Sequence, residues 1–119
     1  MSTNPRPISI TILACIYIAV GIMGFTYHFR EIVALQNDSL WIALTEILAI
    51  VCGVFMLRGG DWARWLALAW IAFHVILSAF HSMHEFLMHS LICALIAWVL
   101  LHRTAARYFR PAPSDPAAL

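Results

Sequence analysis

The chain has 119 residues, 63% of them hydrophobic and 11% charged, with a formal net charge of +1. Soluble domains carry roughly a quarter charged residues, so this composition, with a mean hydropathy of +0.86, excludes a water-soluble domain and describes an integral membrane protein. The seven basic residues are all arginine and lie scattered along the chain, so no nucleic-acid partner is expected.

Four apolar stretches follow in chain order: Ile8 to Phe29, Leu40 to Leu57, Trp62 to Phe80 and Phe86 to Leu101. At about 1.5 Å of rise per residue, each covers most or all of a hydrocarbon core roughly 30 Å thick. Backbone amides in that core find no water and must pair within the segment, so the stretches are helices. A closed barrel would need alternating polar positions, which these stretches lack. The expected fold is an all-α, polytopic membrane four-helix bundle with spans at about 8–29, 40–57, 62–80 and 86–101.

The first stretch is too long for the apolar region of a signal peptide and is read as a retained span. Within it, Gly21 and Gly24 allow another helix to approach closely. Asp38-Ser39 offers a cap for the second span. Arg58-Gly59-Gly60-Asp61 forms a tight turn, with Asp61 as the cap of the third span. Tyr27 and Trp41 at one interface, and Trp62 and Trp65 at the other, suit amphipathic rings. From Asp61 to Arg110 there is neither glycine nor proline, so the third and fourth spans must reverse at the polar segment His81-Ser82-Met83-His84-Glu85. There Ser82-x-x-Glu85 reads as a capping box before an apolar run. One four-helix domain is expected over 1–110, with a disordered cytoplasmic tail over 111–119, where three of nine residues are proline.

Topology follows from the arginines. With a cytoplasmic N-terminus, Arg6, Arg58, Arg64, Arg103, Arg107 and Arg110 fall inside and Arg30 alone falls outside, which places both termini inside.

Sorted by side, the remaining ionisable groups separate. His28, Glu31, Asp38, Glu46, His74, His81, His84, Glu85 and His89 belong to the outer half, and His102 and Asp61 to the inner half. An ionisable group inside a membrane is a functional hypothesis by default. Imidazole suits zinc, copper and iron, and a carboxylate completes a shell, so three or four of His28, His81, His84, Glu85 and His89 are candidates to converge on a transition metal. Met83 and Met88 point to a copper variant. Axial ligation of haem or chlorophyll by His74, His81 or His89 is a further possibility. The alternative reading makes the cluster a turn: the capping box explains the reversal, His81 and His84 are interfacial, and His89 bonds a neighbouring helix. Glu46 and His74 lie at similar depth, roughly 10 Å inside the outer boundary, as candidates for a proton relay or a structural bond between helices. Cys15, Cys52 and Cys93 are read as small buried apolar residues. Without Cys-x-x-Cys or an outer cysteine, a disulfide oxidase is excluded.

The stretch Arg58-Gly59-Gly60-Asp61-Trp62-Ala63-Arg64-Trp65-Leu66-Ala67 resembles the junction between the second and third spans of small uncharacterised bacterial four-span inner-membrane proteins. There Arg-Gly-x-x-Trp-Ala-Arg precedes an apolar run. The resemblance implies the same layout and membrane and carries over no activity or site residue.

Three function classes remain. The first is a non-enzymatic accessory subunit, or a binder of metal or tetrapyrrole through the outer histidines. The second is a small oligomeric transporter or channel using Glu46 and His74, and the third is a metal-dependent intramembrane enzyme. The first is preferred, because no set of acid, base and nucleophile is recognisable. The bilayer is one partner, and a homo-oligomer or a larger membrane complex is the other expected association.

Overall fold

The computed structural model describes residues 5–110, and every regular element among them is helical. The helices are α1 (Ile8–Tyr27), α2 (Phe29–Val33), α3 (Ser39–Leu57), α4 (Asp61–Ala79), α5 (Met83–Leu101) and α6 (Arg103–Phe109). Of these α1, α3, α4 and α5, each of 19 or 20 residues, are long and apolar enough to cross a membrane. The all-α four-helix architecture is therefore present, and its surface requires a lipid bilayer. We call its two ends the histidine end, which carries the turns at 28–38 and 80–82, and the arginine end, which carries the turn at 58–60.

Local chemistry shifts several boundaries. The first span stops at Tyr27 and not Phe29; the backbone breaks at His28 and resumes as the short α2. The fourth span begins three residues before Phe86, because Ser82 is extended and its Oγ accepts the Glu85 amide at 3.2 Å. Only this arm of the capping box forms, since the Ser82 amide donates to the Ser78 carbonyl instead. Asp38 precedes α3 without a side-chain cap, and Ser39 Oγ donates back to the Gln36 carbonyl at 2.6 Å. Asp61 is not the cap of α4 but its first residue, following Gly60. Gly59 turns the chain at φ 79°, which suits a residue without Cβ.

Packing begins with α1 against α3. A Cβ on Gly21 would meet the Glu46 carbonyl, and one on Gly53 would meet the Ala14 carbonyl, each at 2.6 Å. Between apolar helices in lipid, contacts of this kind supply the dispersion attraction that burial from water supplies elsewhere. Two aromatic side chains then fasten α4 to both partners. Tyr17 donates to the Ala67 carbonyl at 2.9 Å, and Trp70 Nε1 donates to the Thr45 carbonyl at 2.8 Å. The two rings touch, with centroids 5.3 Å apart. The last long helix is different: 11% of α5 is buried within the protein, against 22–28% of the other three. Its buried residues, Ile96 and Leu100, both lie towards the arginine end. It packs on α4 and barely meets α1, which leaves a groove between them.

Most of the core also lies towards the arginine end, where Ile10, Leu13, Ala14, Cys52, Met56, Ala63, Ala67 and Leu100 are buried. Arg64 is 4% exposed there. Its Nη2 bonds Asp61 Oδ1 at 2.6 Å, while Asp61 Oδ2 receives Arg110 Nε at 2.9 Å. The Arg64 guanidinium also faces the rings of Trp65 and Phe109. The sequence reading did not anticipate α6, which buries Ala105, Tyr108 and Phe109 under this end. The Tyr108 hydroxyl donates to the Leu57 carbonyl at 2.9 Å, sharing its hydrogen with Met56 at 3.2 Å. Cys52 is buried and Cys93 half-buried, but Cys15 is exposed on the lipid-facing side of α1, contrary to its reading as a buried residue. The tail expected over 111–119 lies outside the described residues.

Candidate functional site

Among the described residues no group of three or more histidine, cysteine, aspartate or glutamate side chains comes together to hold a metal ion. The convergence expected of His28, His81, His84, Glu85 and His89 is thus not formed, and helical geometry explains part of this. Residues five apart on a helix differ by roughly 140° in direction, so His84 and His89 leave α5 on different sides. His81, His84 and Glu85 are exposed at the turn. His28 follows the last residue of α1 and pairs with Glu31, Nδ1 lying 3.4 Å from Oε2.

What the fold does bring together is His74 and His89. Both line one cavity of about 230 Å³ between α1, α4 and α5, whose other walls are Ile16, Tyr17, Val20, Trp70, Ile71, Ile92 and Ile96. The rings are half-buried and lie at nearly one depth, about 8–10 Å in from the histidine end of their helices. The cavity exists because α5 packs on α4 and barely meets α1.

Each ring is held in the same way. His74 Nδ1 is 2.8 Å from the Trp70 carbonyl, and His89 Nδ1 is 2.8 Å from the Glu85 carbonyl, each one helical turn back. A carbonyl only accepts, so Nδ1 is the protonated nitrogen and, in the neutral ring, Nε2 keeps its lone pair. His74 is also stacked on Trp70, with centroids 4.0 Å apart. Because Trp70 is itself bonded to α3, this histidine is positioned through its neighbour. Tyr17 adds bulk to the wall, and its hydroxyl is committed to Ala67.

A second apolar cavity of about 300 Å³ continues the first towards the arginine end. It is lined by Ser9, Ile12, Leu13, Leu95 and Val99, and it shares Ile16, Ile92 and Ile96 with the first. The two form one groove along the α1–α5 seam, with polar acceptors at one end only.

Glu46 lies apart from this groove. Its carboxylate rests on Gly24, where any Cβ would collide with it. Among the described residues no hydrogen bond or ion pair joins it to His74, so the bond considered between those two helices is not made. Both residues sit at similar depth, but α3 turns Glu46 towards α1 while α4 turns His74 into the groove.

The sequence reading missed the pairing of His74 with His89, although a signal was present. The two residues lie eight before and seven after Ser82, and a chain that reverses there brings both to one level.

The chain matches no family model, no curated protein and no solved structure. The likeness of its 58–67 junction to small bacterial four-span proteins therefore assigns no family.

Proposed function

We propose that this membrane protein is a non-enzymatic binder of a neutral, bilayer-soluble molecule that bears hydroxyl groups on a small ring and an extended apolar tail. The observation that carries this reading is the shared state of His74 and His89. Both rings spend Nδ1–H on their own helix and present Nε2 as an acceptor in an otherwise apolar cavity. An O–H donor satisfies such an atom, whereas a quinone carbonyl meets it lone pair to lone pair.

Depth and shape narrow the class. A phospholipid head is charged and belongs at the interface, so it is poorly matched to acceptors some 8–10 Å below the helix ends. Ligand cavities commonly measure about 300–1,000 Å³. At about 230 Å³ the head cavity suits a single ring better than a tetrapyrrole, and the continuing groove offers a track for a tail. Hydroquinones and phenols with alkyl or prenyl tails combine these properties. In this reading the arginine end faces the cytoplasm of a bacterium, in accord with the distribution of positive charge.

The test is a binding titration of the protein in nanodiscs with decyl-substituted hydroquinone and with the corresponding quinone. The hydroquinone should bind saturably and about tenfold more tightly than the quinone, the equivalent of one hydrogen bond of about 1.4 kcal/mol. The preference should vanish in the His74→Ala, His89→Ala double variant. Equal or tighter binding of the quinone would overturn the reading. A Soret band in protein purified from its own membrane would replace it with axial ligation of a tetrapyrrole.

A further inference from the structure

We propose that Glu46 is a proton-binding site reached from the histidine end through Glu31 and His28, separate from the groove and independent of what the groove binds. The starting point is two buried polar atoms that make no hydrogen bond, one of which, His28 Nδ1, has an ion-pair contact with Glu31. The other is Glu46 Oε2. A buried polar atom left unpaired costs about 1–3 kcal/mol, so Glu46 Oε2 marks a position that a mobile group completes. His28 stands one helical turn beyond Gly24, on which the Glu46 carboxylate rests. Both lie in the wedge between the end of α1 and the first turns of α3.

Gly24 provides the room. With no side chain at that position the Glu46 carboxylate lies directly on the α1 backbone. It is held inside the wedge and does not extend along the helix to water. The carboxyl is thus fixed at membrane depth by a feature that does not otherwise need a glycine, since α1 is helical there.

The path outward from His28 runs through Glu31. His28 Nδ1 lies 3.4 Å from Glu31 Oε2. Glu31 in turn lines an open polar vestibule of about 540 Å³ with Gln36, Asn37, Asp38, Ser39 and Ile42. Ile42 is one helical turn from Glu46 on the same face of α3, so the floor of the vestibule lies just above the carboxyl. A proton enters from vestibule water onto Glu31 and passes to the His28 ring. The ring then releases one to the Glu46 carboxylate, and the return journey is the reverse.

Chemistry favours a proton over a metal cation. Hard cations take about six or more oxygen ligands, whereas this wedge offers one carboxylate and an imidazole. The titratable groups bearing on Glu46 are His28 from the end of α1, Glu31 from α2 and, two turns away on α3 itself, Asp38. From α4 the group at this depth is His74, which faces the groove.

The test uses the full chain in liposomes of known orientation and N,N′-dicyclohexylcarbodiimide, a bilayer-soluble reagent. The O–H of a protonated carboxyl adds across its C=N bond. Peptide mass mapping should find the label on Glu46, increasing as the pH on the histidine side is lowered and indifferent to the pH on the arginine side. His28→Gln should remove the response to that pH, and Glu46→Gln should remove the label. Absence of label on Glu46 in the native chain would overturn the site, and a response to the arginine-side pH would overturn the path. An undiminished pH response in His28→Gln would overturn the relay. Protection by sodium at constant pH would assign the wedge to a cation instead.

Discussion

The two ends of this molecule are built on opposite plans. At the arginine end, Asp61 holds the buried Arg64 and the exposed Arg110, α6 buries Tyr108 and Phe109, and the exposed Arg6 donates to the Leu57 carbonyl at 3.0 Å. At the histidine end the core thins and Glu46 Oε2 and His28 Nδ1 are buried without a hydrogen bond, whereas at the arginine end the one such atom among the described residues is Nε of Arg64, whose guanidinium is paired with Asp61 through Nη2. A bundle of four helices can close at both ends, so the difference shows where this chain holds its shape and where it leaves space. In the proposed reading, stability belongs to one end and chemistry to the other.

The sharpest way to break that comparison is at Asp61. Asp61→Ala leaves Arg64 buried without its carboxylate, and loss of one partner of a buried pair typically costs about 3–5 kcal/mol. The midpoint of unfolding in a denaturing detergent should fall accordingly, while ligand affinity per folded molecule should stay unchanged. Removal of His74 or His89 singly should do the reverse. Each exchange to alanine should weaken hydroquinone binding by up to about tenfold, one hydrogen bond's worth. It should shift unfolding less than Asp61→Ala does, because each ring's bond within its own helix supports one local turn.

Two smaller effects sharpen the picture at the histidine end. Ser82→Ala removes the acceptor for the Glu85 amide and should cost about 1 kcal/mol, with faster amide hydrogen exchange confined to the first turn of α5. Leu35 has a φ of 51°, a left-handed conformation that a side chain disfavours. Leu35→Gly should therefore stabilise the protein slightly, by about 0.5–1 kcal/mol, measured by the same unfolding assay. A large loss from either substitution would mean that the histidine end is more tightly built than its packing indicates.

Much of the fold was legible in the sequence because a membrane constrains the chain so strongly. Composition and length give four helices, Gly59 marks a turn, and Ser82 with Glu85 marks another. The short helices were less legible. α6 has seven residues, too few for a periodic signal, and what stabilises it is the contact of Tyr108 with carbonyls about fifty residues earlier. Site residues were legible as a set but not in their grouping. Depth can be counted from a turn, which puts Glu46, His74 and His89 on one level. The direction in which each helix faces depends on Gly24, Tyr17 and Trp70, whose partners lie on other helices. That is why Glu46 and His74 could be placed at one height and still not meet.

The bond between Arg110 and Asp61 spans 49 positions of the chain. Asp61 is synthesised well before its second arginine, so the third and fourth spans must enter the bilayer while this carboxylate is only partly satisfied. Completion of the arginine end is then a late event of biogenesis. A chain interrupted before Arg110 would still contain its four membrane helices but would lack the contact that joins the end of α6 to the first residue of α4.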